Sequence, residues 1–173
     1  RACMPTADDQ RWIRDAIARF EGPLLRYAAG LTHDLERARD VVQDTFLRLC
    51  RAERAAVEQR VGPWLYTVCR NRAIDVRRKE GRMGTTTNET AMIGREPEPV
   101  SVIERRESHS RALDLIERLP EKQREVIRLK FQGGLSYAQI AEVTSLSVSH
   151  VGVLIHHGMK TLRGRMGALA PEA

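Results

Sequence analysis

Residues Leu119–Glu142 and Ser147–Arg163 read LPEKQREVIRLKFQGGLSYAQIAE and SVSHVGVLIHHGMKTLR, and together they predict a helix-turn-helix. Ser136 with Gln139 is a capping-box pattern that marks the start of the first helix, and Ser147 is placed to cap the second. Apolar residues fall where two crossed helices would share a core: Ile140, Ala141, Val148, Val151, Ile155 and Leu162. In such motifs the second helix enters the major groove of DNA with its N-terminal residues on base edges. This part of the chain is therefore expected to bind DNA.

A second candidate for DNA binding is the helix predicted over Pro63–Lys79, PWLYTVCRNRAIDVRRK. Its last ten residues hold five basic side chains against one acid, Asp75. The five are Arg70, Arg72, Arg77, Arg78 and Lys79. Cations also complement the C-terminal end of a helix dipole, but five exceed that need, and we expect them to neutralise phosphates. Asn71 can hydrogen-bond base edges. Trp64 and Tyr66 either stack on an unpaired base or pack inside the domain, with packing favoured for Trp64.

The composition is that of a basic globular protein. Its 173 residues have room for one mid-sized domain or two small ones, and a hydrophobic share of 42% supports packed cores. The net charge of +6 favours an anionic partner such as nucleic acid. No apolar run approaches the roughly 18 residues that span a bilayer, and no secretory signal is evident. The three cysteines are an odd number without disulfide or metal spacing, which fits the reducing cytoplasm. Together these observations predict a cytoplasmic protein without membrane insertion.

The chain is expected to divide into two domains joined by a linker. Residues 81–102 contain three glycines, two prolines and no sustained apolar period, which predicts a flexible linker. The N-terminal domain then spans residues 5–80, and the C-terminal helix-turn-helix domain spans 103–168. The period-two alternation typical of strands is missing. The predicted fold class is all-α, with an N-terminal helical bundle and a C-terminal helix-turn-helix domain.

Capping signals mark two helices ahead of the basic one. Thr6 with Asp9 precedes apolar residues at helical spacing from Ile13 to Tyr27. Asp34 is placed to cap the next helix, whose apolar stripe includes Val42, Phe46 and Leu49. The opposite side of that helix carries Asp40, Asp44, Leu47 and Arg51, with Gln43 on the flank. It is either a solvated face or, because a leucine stands among carboxylates, a docking surface for a partner helix.

Three blocks follow one another along the chain: RARDVVQDTFLRLCR at Arg37–Arg51, then the Pro63–Lys79 block, then the Leu119–Glu142 block. In this order and spacing they resemble the successive blocks of the extracytoplasmic-function group of bacterial RNA polymerase sigma factors. The resemblance implies a transcription-initiation subunit without catalytic activity or cofactor. Such a subunit binds core RNA polymerase, then recognises and melts promoter DNA of a stress- or signal-responsive gene set. The resemblance also implies an anti-sigma factor as a partner.

The resemblance also assigns roles to residues of the first two blocks. In similar proteins the first block binds the clamp helices of the polymerase β′ subunit; the candidates here are Asp40, Val41, Gln43, Asp44 and Leu47. The second block handles the −10 promoter element; the candidates here are Trp64, Arg70, Asn71, Arg72, Arg77, Arg78 and Lys79. The loop before it, roughly residues 52–62, lies where such proteins capture a flipped-out base. It has no aromatic residue from which to name a pocket.

The recognition helix departs from the family pattern at four usually basic positions, which are here Gly152, Leu154, His157 and Met159. Neutral histidine and apolar side chains cannot replace arginine at phosphate or guanine. Gly152 and Gly158 also weaken the helix by about 1 kcal/mol each relative to alanine. The remaining candidates for contact with the −35 element are Ser149, His150, Val153, His156, Lys160 and Arg163. No metal site is expected, because the adjacent His156 and His157 point to different faces without a cysteine or carboxylate nearby.

Two other functions compete with this interpretation. A stand-alone helix-turn-helix transcriptional regulator would bind an operator without touching polymerase, and it has no use for the acidic face of the second helix. An enzyme acting on nucleic acid would need a metal-spaced carboxylate cluster, a phosphate-cradling glycine loop or a nucleophile–base pair, and the sequence offers none of these.

Overall fold

The computed structural model describes residues 6–83 and 112–167, which are almost entirely helical. No strand occurs among them, which confirms the predicted all-α class. They belong to two compact units. Residues 6–83 form α1 (Ala7–Thr32), α2 (Leu35–Arg51), α3 (Arg54–Val57), a 3-10 turn (Glu58–Arg60) and α4 (Val61–Met83). Residues 112–167 form α5 (112–117), α6 (Glu121–Phe131), α7 (Tyr137–Thr144) and α8 (Val148–Gly167).

The basic helix is longer than the sequence pattern predicted. α4 begins at Val61 and continues to Met83, so it includes the first three residues of the stretch predicted as a linker. The rest of that stretch, residues 84–102, lies outside the described residues, as do the outer ends of both predicted domains. The domain boundaries therefore stay predictions.

The capping groups of the first two helices occupy their predicted places. The Thr6 hydroxyl accepts a hydrogen bond from the Asp9 amide at 3.2 Å, and the Asp9 carboxylate accepts one from the Thr6 amide at 3.0 Å. Hydrogen bonds from Thr6 hold the pKa of the Asp9 carboxyl below its usual value. At α2 the Asp34 carboxylate accepts a hydrogen bond from the Arg37 amide at 3.0 Å. These local bonds satisfy amides that the helix itself leaves unpaired.

The three long helices of the N-terminal unit share one core. Leu24 of α1, Val41 and Leu49 of α2, and Leu65 of α4 are fully buried in it. Because each helix buries one side, the remaining sides of α2 and α4 are left as the accessible surfaces of the unit.

The core of the C-terminal unit joins α5, α6 and α8. One cluster of buried side chains in it consists of Leu115, Leu119, Ile127 and Leu162. Arg128 of α6 is buried beside them and forms an ion pair with Glu117 of α5. Arg124 also donates to the backbone oxygen of Glu117 at 2.8 Å. Since a buried charge is tolerated only when it is paired, these contacts fix α5 against α6.

α7 and α8 form the predicted helix-turn-helix, with an angle of 104° between them. Ser145 adopts the left-handed conformation in the turn (φ 58°), and the Ser147 hydroxyl accepts a hydrogen bond from the His150 amide at 3.1 Å. Ile140, Val151 and Ile155 are buried as predicted. Val148 was predicted in the core but is exposed, because the first turn of α8 projects beyond the helices that pack on it.

Within the described ranges, no helix by itself is long and apolar enough to cross a membrane. α7 and α8 meet that test only as a pair, by length and composition, and they are sharply bent at the turn between them. The apolar side chains of Ile140, Val151 and Ile155 in this pair are buried in the core of the C-terminal unit.

Candidate nucleic-acid and polymerase interfaces

The face of α2 predicted to meet polymerase is accessible over most of its length. Asp40, Gln43 and Leu47 are exposed, and Leu47 keeps 46% of its surface open. An exposed leucine between acidic and amide side chains suits a protein contact better than a purely solvated face. Val41 does not belong to this face: it is fully buried, because α2 packs against both α1 and α4 and its buried side is wider than the predicted stripe. Its side chain therefore contributes to the core.

A groove of about 520 Å³ lies beside this face, between α1 and α2. Gln43 and Leu47 line it together with three residues of α1. Those residues are Ile17, Glu21 and Leu25, and α2 adds Arg39, Val42, Phe46 and Cys50. Ile17 belongs to the predicted apolar period of α1, whereas Glu21 and Leu25 were not singled out; the position of Leu25, four residues after Glu21 on the same face, was the available sequence signal. The groove extends the predicted docking face from one helix to two.

Asp44 and Arg72 join this face to the basic helix. Nε of Arg72 on α4 donates to Oδ2 of Asp44 on α2 at 2.6 Å. Both side chains are partly exposed, at 29% for Arg72 and 40% for Asp44. Both were predicted as binding residues, one for DNA and the other for polymerase. The structure pairs the two side chains with each other, and their predicted roles stay predictions.

The remaining −10 candidates lie along the outer side of α4. Asn71, Arg77, Arg78 and Lys79 are exposed, and Trp64 and Arg70 are partly buried. Tyr66 is a core residue, with its ring edge-on to Tyr27 at 5.3 Å between centroids. Burial raises the pKa of Tyr66 to about 12. Of the two aromatic side chains left open by the sequence, Tyr66 packs inside the unit and cannot stack on a base.

Contacts of a single arginine, Arg54, tie the loop before α4 to α1. Arg54 pairs with Asp8 at 2.7 Å and with Glu58 at 2.9 Å, and its guanidinium lies 5.6 Å from the centre of the Trp12 ring. The hydrogen bond with Asp8 raises the pKa of Arg54 above its usual value. The loop has no aromatic residue of its own, but α1 supplies Trp12 to it. Local sequence could not predict this contact, because it joins residues more than forty positions apart.

All six −35 candidates on α8 are exposed. They are Ser149, His150, Val153, His156, Lys160 and Arg163. Only two of them, Lys160 and Arg163, carry a permanent positive charge. The first half of α8, from Val148 to His157, therefore carries no permanent positive charge, and the basic side chains Lys160, Arg163 and Arg165 lie further along the helix.

The structure explains why a glycine stands at position 158, which the sequence pattern did not. α8 approaches α6 so closely that a Cβ at position 158 would overlap Cδ1 of Ile127 and lie 3.6 Å from Cβ of Gln123. Gly152 is less constrained, because a Cβ there would contact the Tyr137 ring at an ordinary 3.7 Å.

The C-terminal unit also carries an aromatic groove of about 500 Å³. Phe131 is 59% exposed, and Tyr137 lies with Nζ of Lys130 at 5.4 Å from its ring centre. Ile155 and Met159 form the rest of its apolar lining. Exposed aromatic surface of this kind typically marks a protein contact, and the sequence pattern did not predict it.

Comparison with protein families and known relatives accords with this arrangement. The model of Sigma-70 region 2 matches residues 16–83, and the model of Sigma-70 region 4 matches residues 109–162. The ECF RNA polymerase sigma factor SigL of Mycobacterium tuberculosis is 33% identical over 144 residues, which cover 81% of this chain and 80% of the relative. The RNA polymerase sigma factor YlaC of Bacillus subtilis is 25% identical over 158 residues, covering 89% of this chain and 91% of the relative.

Two solved structures share the fold at low sequence identity. One is the sigma factor RpoE in complex with the anti-sigma factor NepR from Bartonella quintana, with a TM-score of 0.69, 19% identity, and coverage of 94% of this chain and 98% of that one. The other is CnrH in complex with the cytosolic domain of CnrY, with a TM-score of 0.61, 24% identity, and coverage of 93% and 91%.

Proposed function

Because the chain belongs to the extracytoplasmic-function group of RNA polymerase sigma factors, we propose that its two units divide promoter recognition between α2, α4 and α8. α2 docks on core polymerase, α4 contacts the −10 element, and α8 contacts the −35 element. The observation that carries this proposal is the location of exposed acidic and basic surfaces on separate helices of one small unit.

The docking surface consists of the exposed side of α2 and the neighbouring groove. Asp40, Gln43 and Leu47 supply charge, amide and apolar surface, and the groove between α1 and α2 has room for side chains of a partner helix. A helix that lays its apolar side chains in a groove gains affinity from burial. The Asp40 carboxylate at the edge of the docking surface favours a partner with basic groups. The clamp helices of the β′ subunit are the proposed occupant.

The −10 contacts come from the exposed side of α4. Asn71 is placed for base edges, and Arg78 and Lys79 for phosphates. The loop tied down by Arg54 precedes this helix and presents the surface where an unpaired base would be held. Ordering that loop before DNA arrives reduces the entropy lost when it binds.

The −35 contacts come from α8, with Ser149 and His150 in its first turn as the candidates for base edges. Lys160 and Arg163, further along the helix, are the candidates for phosphates. An anti-sigma factor is proposed as a further partner, with the groove between α1 and α2 as its competing site. The chain is proposed to act without catalysis in the cytoplasm, where polymerase and promoter DNA are found.

The test is competition binding to purified core polymerase with a fluorescently labelled chain. Asp40→Arg reverses one exposed charge of the docking face, and we expect it to weaken core binding by tenfold or more, because like charges in a contact zone repel strongly. Asp15→Arg is the matched control, since Asp15 is an exposed carboxylate of α1 that does not line the groove. It should bind like the wild type.

A stand-alone regulator behaves differently in the same assay. It would show no saturable binding to core polymerase, and Asp40→Arg would then have nothing to weaken. Equal affinities of wild type and Asp40→Arg would show that polymerase binds elsewhere on the chain.

A further inference from the structure

We infer that Arg72 is a positioning residue of the polymerase-docking surface and does not contact promoter DNA. The inference rests on the proposed function, because it assigns Asp44 to polymerase. It reassigns a basic residue of the −10 block from nucleic acid to protein recognition.

The direction of Arg72 around α4 separates it from the other three arginines of the basic block. Successive residues of an α-helix are turned by about 100°. Arg70 and Arg72 therefore lie on opposite flanks of Asn71, which marks the exposed side. Arg77, two turns after Arg70, shares the flank of Arg70. Arg72 lies on the flank that faces α2, where its guanidinium meets Asp44. Lys79, two turns later, lies on the same flank, so the ion pair with Asp44 is what distinguishes Arg72 from it.

The geometry of the ion pair leaves Asp44 available to a partner. Arg72 donates through Nε to only one carboxylate oxygen, Oδ2, at 2.6 Å. An ionised carboxylate can accept further hydrogen bonds on both oxygens, and Asp44 keeps 40% of its side-chain surface open. The carboxylate is thus held from behind in one orientation while its outer edge stays accessible beside Gln43.

Such a contact acts on polymerase affinity through preorganisation. A partly exposed ion pair contributes little to folding, so the loss of Arg72 should leave the fold intact. Without Arg72 the Asp44 side chain regains its rotamers, and polymerase must then order it on binding. The cost should appear in core affinity and should depend on the presence of the Asp44 carboxylate.

The experiment measures core-polymerase affinity for the wild type, Arg72→Gln, Asp44→Asn and the double variant. We expect Arg72→Gln to weaken binding about threefold to fivefold. In the Asp44→Asn background the same change should have no further effect, since there is no carboxylate left to position. Arg72→Lys, whose ammonium can still pair with Asp44, should recover most of the affinity.

A second arm measures promoter binding by holoenzyme formed at saturating chain concentration, as a function of salt. Arg78→Gln is the control on the exposed side of α4 and should flatten the salt dependence by roughly one unit of slope. Arg72→Gln should leave that slope unchanged.

Four results overturn the inference. These are a flattened salt slope for Arg72→Gln, equal losses of core affinity from Arg72→Gln in both backgrounds, unchanged core affinity, or increased core affinity. Absence of core binding by the wild type would be a different result, because it would refute the proposed function itself.

Discussion

Gly158 of α8 lies directly against Ile127 of α6, and the two residues set how closely these helices approach. Any side chain at position 158 would overlap Cδ1 of Ile127. Ile127 cannot simply move aside, because it is 1% exposed and packs in a buried hydrophobic cluster of the C-terminal unit. The glycine that weakens α8 as an isolated helix therefore stabilises the packed unit.

We expect Gly158→Ala to destabilise the protein by up to about 2 kcal/mol. Overpacking a core costs about 1–3 kcal/mol, and the better helix propensity of alanine offsets about 1 kcal/mol of it. Gly164→Ala is the control in the same helix, where an added Cβ meets nothing within 4 Å, and it should stabilise by up to about 1 kcal/mol. Urea unfolding of both variants checks this. Equal stabilisation by the two alanines would show that the helices separate easily.

We expect the Tyr66→Phe variant to be at least as stable as the wild type and to open promoters equally well. The Tyr66 hydroxyl is buried and finds no hydrogen-bond partner among the described residues, so its removal should leave stability unchanged or raise it by up to about 1 kcal/mol. If Tyr66 instead met DNA through its hydroxyl, the variant would lose activity in a promoter-opening assay while remaining folded.

The same burial predicts a loss of stability in alkaline solution. Burial raises the pKa of Tyr66 and of Cys69 to about 12, from ordinary values of 10.0 and 9.0. Between the ordinary and the raised values the folded state holds protons that the unfolded chain releases, so stability falls as pH rises from about 9 towards 12. The free energy of unfolding, measured across this pH range, should decline less steeply for Tyr66→Phe than for the wild type.

The thiols of Cys50 and Cys69 should differ sharply in reactivity. Cys50 is exposed in the groove between α1 and α2, whereas Cys69 is buried and its thiol stays protonated. In a Cys3→Ser background at pH 8, a thiol reagent should modify Cys50 quickly and Cys69 only after denaturant is added. Two fast-reacting thiols in the native protein would contradict the buried position of Cys69.

The two DNA-binding helices should contribute unequally to promoter opening. α4 offers Asn71 and Arg78 on its exposed side, whereas the first turn of α8 offers an uncharged serine and a histidine. We therefore expect Asn71→Ala and Arg78→Ala to reduce transcription from the chain's own promoter more than His150→Ala or His156→Ala. A larger loss from the histidine variants would show that α8 dominates recognition.

The features predicted from sequence are those governed by neighbours along the chain. The caps at Thr6, Asp34 and Ser147 depend on hydrogen bonds within three residues, and helical periodicity is equally local. The features that were missed join distant segments. Val41 became a core residue because a second helix packs on α2, and Arg72 of that second helix forms an ion pair with Asp44 of α2. Trp12 reaches the loop before α4 only in the folded unit, and the tight contact at Gly158 exists only when α6 and α8 meet.

Run-off transcription with purified core polymerase on fragments of the source genome tests the central claim most directly. Core polymerase with this chain should produce discrete transcripts that core alone does not. Asp40→Arg should abolish them and Asp15→Arg should leave them intact. The opposite result, in which the chain yields no transcript of its own or Asp40→Arg is as active as the wild type, would show that the exposed face of α2 does not bring polymerase to promoters.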